Sequence, residues 1–456
     1  MLQFNSMKTV LYFLLILFFS ACSLNNSLIH VNVRNPSSTD ELAELPSAIK
    51  TFIYSEQMLN DRIEDTSEFA SIVTTNLEAE YMPENQPVFK LHTVLVPIED
   101  LTILSTDSEE NINNALIVIK DRKKFVKFFI HPKSVNLYAD AFKNYQWTEE
   151  ILSTPLSSHR SLVAWNPNSP TSPFGIKLSL DVKIGGAVRN LSEGQIEHAY
   201  IVSSLLKTLD KNNLKKRGII FLDESINIIP KKVQYGFTLR DIPLPKTDSK
   251  VIPMFSLYSK GINRQTPLLA DIILKNKVSP QEYIRNKIIR PLIDKTLFMV
   301  FSEGLIGEYH EQNVLVELNN GDISENIWFR DLAGFSVNKD FRTAVGKDMK
   351  FVPPDVQIKN LHMEDHSDIV RNLELYIKKS NFYAMQVSMS EYFPEITQEW
   401  VSNEFEKTFK ESVKKYTGVQ TSWKNFKTDA KKIINRIKLH NINGSNCNVL
   451  IEALLI

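Results

Sequence analysis

His310, Gln312 and Asn313 stand in "EYHEQNVLVEL", residues 308–318, immediately ahead of an alternating apolar run. The run ends in "NNGD", a strong turn signal, and "ISENIWFRDL" follows. A turn centred near Asn320-Gly321 pairs the two strands so that His310 lies almost opposite Asp331. The open end of that hairpin gathers His310, Gln312, Asn313, Arg330 and Asp331. Amide and carboxylate oxygens are hard donors, the set Mg²⁺ takes beside a nucleotide. His310 could hold a phosphate or a substrate acid. A solvated hairpin end with polar residues is the plain alternative.

Two further groups of residues suit anions. "SSHRS" places Ser158, Arg160 and Ser161 in a Pro- and Ser-rich loop, where hydroxyls and a guanidinium can surround phosphate oxygens through charge-assisted bonds. "IKLSLDVKI" alternates as a strand, with Lys177, Ser179, Asp181 and Lys183 on one face. Two cations on that face need an anion or solvent. Gly185-Gly186 follows, where backbone can bend or a ligand approach closely, and then Arg189. Taken singly, each group reads as well as an ordinary loop or a solvated sheet face.

Elements able to hold these residues alternate along the chain. Helical patterning covers 47–83, 135–152, 193–210, 267–303 and 394–440, with "HSDIVRNLELYIKK" between the last two. Strand-like stretches run from 88 to 131 and through 175–255. The class expected is α+β, with helices flanking antiparallel hairpins and a helical C-terminal part. At 456 residues the chain can form two or three packed regions. Lys plus Arg equals Asp plus Glu, 53 of each, so nothing supports binding to nucleic acid. The two cysteines, Cys22 and Cys447, make neither a disulfide framework nor a cluster site.

The N-terminus is a different kind of segment. One Lys precedes an apolar run from Val10 to Phe19, and Ser20-Ala21-Cys22 closes it. The run is short for a spanning helix and suits a signal peptide, whose ending resembles a lipobox with Cys22 as the lipidated residue. The expected location is a membrane-anchored lipoprotein if this signal is used and the cytoplasm if it is not.

The order of the motifs is more informative than any one of them. S-x-R-S, then K…G-G-A-x-R, then H-x-Q-N, then R-D resembles the IucA/IucC family, the NRPS-independent siderophore synthetases. "HPKS" at 131–134, "IIFLDE", "YGFTLRD" with Arg240, and "VIPMFSLY" are similar to further family stretches. The resemblance implies a thumb, fingers and palm architecture. On this chain that places a signal peptide at 1–22 and a shortened thumb-like mixed α/β region at 23–150. A β-rich fingers-like region follows at 151–265, and a palm-like region at 266–456, its C-terminal helices similar to a ferric-reductase-like tail. It implies an AMP-forming, ATP- and Mg²⁺-dependent ligase in siderophore biosynthesis, joining a citrate-like carboxylic acid to an amine or alcohol. Ser158, Arg160, Ser161, Lys177, Arg189 and His310 would hold ATP, with His310, Arg160 and Lys177 catalytic. Gln312, Asn313 and Asp331 would serve Mg²⁺. A homodimer and membrane attachment through Cys22 complete the implied partners. Ser161 stands where the family has Thr, Gly185-Gly186 replaces a Thr-Ser pair, and an earlier histidine-rich motif is missing. A second reading, a non-catalytic lipoprotein that keeps the fold to bind an anionic ligand or siderophore, stays open on the sequence.

Overall fold

The computed structural model describes residues 42–57, 75–108, 112, 116–184, 187–244, 249–259, 266–363, 366–422 and 424–443. Cys22, Cys447 and Gly185-Gly186 lie outside the described residues. Helix α1 (Ser47–Glu56) opens the fold, followed by strands β1 (Phe89–Pro97), β2 (Leu101–Ser105), β3 (Ile117–Lys120) and β4 (Lys123–Ile130). Helix α2 (Val135–Phe142) leads into β5 (Gln146–Pro155), β6 (Ser161–Asn166), β7 (Ser169–Leu178), β8 (Leu180–Ile184) and β9 (Ala187–Arg189). Next come α3 (Glu193–Thr208), α4 (Lys211–Lys216), β10 (Ile219–Phe221), β11 (Ile226–Pro230), β12 (Phe237–Arg240) and β13 (Lys250–Pro253). The last part alternates α5 (Leu268–Asn276), α6 (Arg290–Phe298), β14 (Leu305–Gly307), β15 (Val314–Asn319), β16 (Asp322–Phe329) and β17 (Phe335–Val337). Helices α7 (Gln398–Thr417) and α8 (Phe426–Asn443) close it. The class is α+β, as expected.

A nine-stranded sheet in the order β2-β11-β12-β7-β6-β5-β1-β4-β3 forms the first layer, and each neighbouring pair is antiparallel. Its apolar face buries Phe128 and Phe237, with Tyr138 and Phe142 of α2 against Phe128 at 5.2 Å between ring centroids. The boundary expected at residue 150 falls inside β5 of this sheet. A smaller sheet, β10-β16-β15-β13, carries the H-x-Q-N hairpin. Successive side chains on β15 point to opposite faces, so Val314 and Val316 enter the C-terminal helical core while Leu315 enters a second one. That second core holds Ile49, Phe52 and Ile53 of α1, together with Trp165 of the large sheet. Helix α1 is therefore wedged between the two sheets.

Several local expectations shift. The helix expected over 47–83 ends at Glu56, and Ala79–Tyr81 and Pro83–Asn85 are short 3₁₀ turns. Residues 58–74 lie outside the described set. The helix expected over 135–152 stops at Phe142, because the polar and β-branched run that follows pairs with β1. Helix α3 begins where a capping box predicts: Ser192 Oγ accepts from the Gln195 N–H, and the Gln195 side chain returns to Ser192 N. Residues 373–383 continue their helix as a π-helical turn set, a geometry frequent beside functional sites. No helix among the described residues is long and apolar enough to cross a membrane.

Candidate functional site

The loop between β5 and β6 is a tight knot of its own polar groups. Leu156 N–H donates to Ser161 O and Arg160 N–H to Ser158 O, both at 2.8 Å, while His159 takes φ 65°. Ser158 Oγ is spent inside the loop, accepting from Ser161 N–H at 3.2 Å. The knot aims Arg160 at the exit of β9, where its guanidinium donates to the carbonyls of Arg189 and Asn190, each at 3.3 Å.

Below the loop, a polar row crosses the large sheet. Ser161, Lys177, Thr238 and Asn227 are successive register partners on β6, β7, β12 and β11. All four are buried, and Thr238 donates to Asn227 Oδ1 at 2.7 Å. Strand β12 comes close because residue 175 is glycine. A Cβ there would lie 2.4 Å from the Arg240 carbonyl oxygen.

Charge gathers at the end of this row. Lys177, 1% exposed, binds the Asp331 carboxylate and stands 4.0 Å from Glu224. Arg240 Nε donates to Glu224 at 2.8 Å, and its terminal nitrogens reach Ser161 Oγ at 3.2 Å and Asp331 at 3.4 Å. Burial opposes the charge on Asp331, yet Lys177, Arg240 and Arg160 together hold its carboxyl well below the usual range. Burial lowers the Lys177 ammonium, with Asp331 and Glu224 working against that fall. Arg189 is near enough for its charge to act on both Arg160 and His310. Four cations thus face two carboxylates. Such a surplus in a partly enclosed place calls for an anion.

The sequence readings meet this geometry unevenly. Lys177 and Lys183 do not share a strand face. The strand breaks at Ser179, so Lys177 turns into the large sheet while Lys183 is exposed on the β8–β9 ribbon. The turn at Asn320-Gly321 does form, both residues at positive φ as a primed turn requires. His310 is nevertheless not opposite Asp331. Between Val316↔Ile327 and Leu318↔Ile323 the register slips by two residues through a bulge. The slip puts Arg330 beside Asn313, whose carbonyl accepts from Arg330 N–H at 3.2 Å. Asp331 turns out toward the cations at φ 68°, a left-handed conformation uncommon for a non-glycine residue. Arg330 faces the other way and forms a fork with Glu56 at 2.5 and 3.1 Å, assisted by Ser157. Glu224, Glu56 and Tyr376 were missed in the sequence. Glu224 had one usable signal, its place in the acidic pair that follows the apolar run "IIFL"; Glu56 and Tyr376 had none.

His310 is 3% exposed, with Tyr376 packed over it at 5.8 Å. Gln312 N–H donates to Nδ1 at 3.3 Å, which makes Nδ1 the acceptor of the ring, and the Asn313 side-chain amide lies 3.1 Å from Nε2. A ring whose Nδ1 accepts is a neutral one. Burial, seconded by Arg330 and Arg189 and opposed by Asp331, pushes the imidazole down to about 3. Whatever His310 offers an anion is a hydrogen bond rather than a charge. Among the described residues no group of three or more His, Cys, Asp and Glu side chains could hold a metal. Asp331 differs from Glu224 in being reachable, its side chain 24% exposed against 1%.

A pH dependence follows. His131, fully buried against Tyr81 and Phe89, is also pushed down to about 3, by burial first and then by Lys133 and His92. Between pH 6.5 and about 3 the unfolded chain binds protons at these two sites that the folded chain refuses. Stability therefore falls as pH drops through that window, by about 1.4 kcal/mol per unit for each ring. Asp331, ionised in the fold well below its ordinary value, adds to the loss below about pH 4. Thermal melts should shift steadily downward from pH 6.5 to 4. A flat wild-type profile, or a slope left unchanged in a His131→Phe, His310→Gln double variant, would contradict the assignment.

Comparison with known proteins bears on the same region. Residues 73–259 match the IucA / IucC family. Among solved structures, the petrobactin biosynthesis protein AsbB from Bacillus anthracis str. Sterne superposes with TM-score 0.67 at 16% identity, over 85% of this chain and 70% of that one. The ATP-bound aerobactin synthetase IucA from a hypervirulent pathotype of Klebsiella pneumoniae gives 0.65 at 17% identity, over 82% and 71%. Aerobactin synthetase IucC from the same source gives 0.62 at 14% identity, over 86% and 72%. No curated protein was found to match. The fold is that of these synthetases.

Proposed function

Starting from a chain that carries an IucA / IucC family region on a siderophore-synthetase fold, we propose that it works in siderophore biosynthesis as an ATP-dependent ligase. It would activate a carboxylate as its adenylate and pass the acyl group to an amine or alcohol. The observation that carries this reading is the surplus of cations, Arg160, Lys177, Arg189 and Arg240, over Glu224 and Asp331. Attack of a carboxylate on a phosphate brings two anions together. Cations already arrayed at that point remove the repulsion without reorganising during the reaction.

Each side chain has a distinct task in this reading. Arg160, pinned by the Arg189 and Asn190 carbonyls, keeps its guanidinium fixed at the loop tip. Lys177 and Arg240 neutralise charge from below, themselves held by Glu224. His310 stays neutral and aims a ring nitrogen. Ser161 binds Arg240 and orients it, while Ser158 holds the loop. A divalent cation fits the donor chemistry at one point, the reachable Asp331 carboxylate, with the Gln312 and Asn313 amide oxygens on the adjoining segment. Bound there, Mg²⁺ would neutralise charge on the outer phosphates.

The test is pyrophosphate release with a panel of citrate-like acids and amines. Among the described residues no side chain hydrogen-bonds the Arg189 guanidinium, so Arg189→Ala should leave stability within about 0.5 kcal/mol. Arg189→Ala and Arg160→Ala should each lower turnover by about a hundredfold. Full turnover in both variants would refute the assignment. Tight ATP or siderophore binding with no pyrophosphate release from any acid would favour the non-catalytic reading instead.

A further inference from the structure

Strand β10 is the edge of the smaller sheet, and its free side borders a groove of about 630 Å³. Leu222 N–H donates to Phe329 O, and Gly218 O accepts from Ile327 N–H, both at 2.8 Å. Even-numbered positions therefore face β16, and the peptide groups of Ile219 and Phe221 turn outward along the groove. The volume is that of a small-molecule site.

The walls of the groove carry opposite charges. One wall is basic: Lys207 ends α3, and Lys211 and Lys215 line the groove from α4. The other is acidic: Asp223, Asp241 and Glu317 come from strand ends and from β15. Lys207 and Asp223 satisfy each other at 2.8 Å. Lys211 and Lys215 line the same groove as Asp241 and Glu317, together with Leu214, Phe221 and Trp328. Glu317 is fixed in place, one oxygen accepting from Asn326 Nδ2 at 2.9 Å and Trp328 Nε1 at 3.1 Å. Burial and the neighbouring Asp223 carboxylate raise the Asp241 carboxyl, against the Asp223 N–H that donates to it at 3.2 Å and the nearby Lys207, and an incoming cation would relieve the remaining repulsion. Glu224 and Arg240 belong to the ionic cluster, and the next residues, Asp223 and Asp241, line this groove.

We propose that this groove binds a zwitterion of the amino-acid type, its ammonium against Asp241 and Glu317 and its anionic group against Lys211 and Lys215, with an apolar spacer over Phe221 and Trp328. A simple cation would meet the lysines and a simple anion the carboxylates. Only a ligand carrying both charges satisfies both walls. The proposal does not depend on the ligase reading.

The experiment uses the full chain and titration calorimetry with 4-aminobutanoate, 6-aminohexanoate and 8-aminooctanoate, each beside the diamine and the diacid of matching length. At least one amino acid should bind about tenfold or more tightly than both of its partners, since each misplaced charge removes a charge-assisted bond. Lys211→Ala with Lys215→Ala, both exposed and outside the ionic cluster, should lower amino-acid affinity about tenfold and leave diamine binding unchanged or stronger. Asp241→Asn with Glu317→Gln, which keeps an acceptor for Trp328, should do the same for the ammonium end. Binding of a diamine or diacid as tight as that of its amino acid, or no binding of any probe to the folded protein, would overturn the proposal. Pyrophosphate release measured in parallel keeps its outcome separate from that of the ligase reading.

Discussion

Glu56→Ala should destabilise the fold by about 3–5 kcal/mol, the largest loss expected from any single polar substitution here. Glu56 is 0% exposed and Arg330 is 3% exposed, and the two meet through a two-bond fork inside the wedge between the sheets. Ser157 Oγ donates to the same carboxylate at 2.6 Å, and Arg330 also donates to Gln312 O at 2.6 Å. Removing Glu56 strands a guanidinium away from water, and the cost is that of an uncompensated buried charge rather than of the bond itself. Urea denaturation should show a midpoint shift at unchanged slope. Arg330→Met added to Glu56→Ala should recover part of the loss, because it removes the stranded charge. A loss below about 1 kcal/mol in the single variant would show that water reaches the pair.

Asp331→Ala should both abolish pyrophosphate release and weaken the fold, on the order of 3 kcal/mol. From the sequence, Asp331 reads as a Mg²⁺ ligand at a hairpin end. The structure gives its carboxylate ion-pair partners as well. Asp331 is a counter-ion to Lys177, Arg240 and Arg160, and without it they share Glu224 alone. The same reasoning predicts a rescue. Millimolar pyrophosphate should raise the melting temperature of Asp331→Ala more than that of the wild-type protein, since the anion occupies the charge vacancy. Equal shifts in both proteins would mean that the cations do not converge on a phosphate-sized space. A loss of activity without loss of stability would return Asp331 to a purely ligand-binding role.

The two predictions separate features that look alike in the sequence. Arg330 and Asp331 are neighbours in "FRDL", both polar, both at the end of the same strand. One is a structural tie to α1, and the other faces the cations of the candidate site. The left-handed backbone at Asp331, just past the end of β16, sends them to opposite sides, and what waits on each side is set by elements remote in the chain. Glu56 is 274 residues from Arg330, and Lys177 is 154 from Asp331.

Features that depend on neighbours in the chain were legible. The alternating run before Asn320-Gly321 and the turn itself are local, because positive φ at both turn positions and period-two burial are written in adjacent residues. The helix expected over 193–210 from its patterning formed as α3, Glu193–Thr208. The α+β class was readable too, and Arg160, Lys177 and Asp331, singled out from motif order, lie close together in the fold. Tertiary structure alone decided the rest. A bulge on β16 moved His310 away from Asp331, and no propensity marks where a ladder will slip. Burial decided that His310, read as a holder of a phosphate or an acid, is a neutral ring, since its charge state depends on low-dielectric packing and on the nearby arginines. The break at Ser179 split one apparent strand between two sheets, because pairing partners rather than alternation determine where a strand ends. Residue types and their order specified which charges this protein carries; the packing of remote elements determined which of those charges cancel and which are left facing an open site.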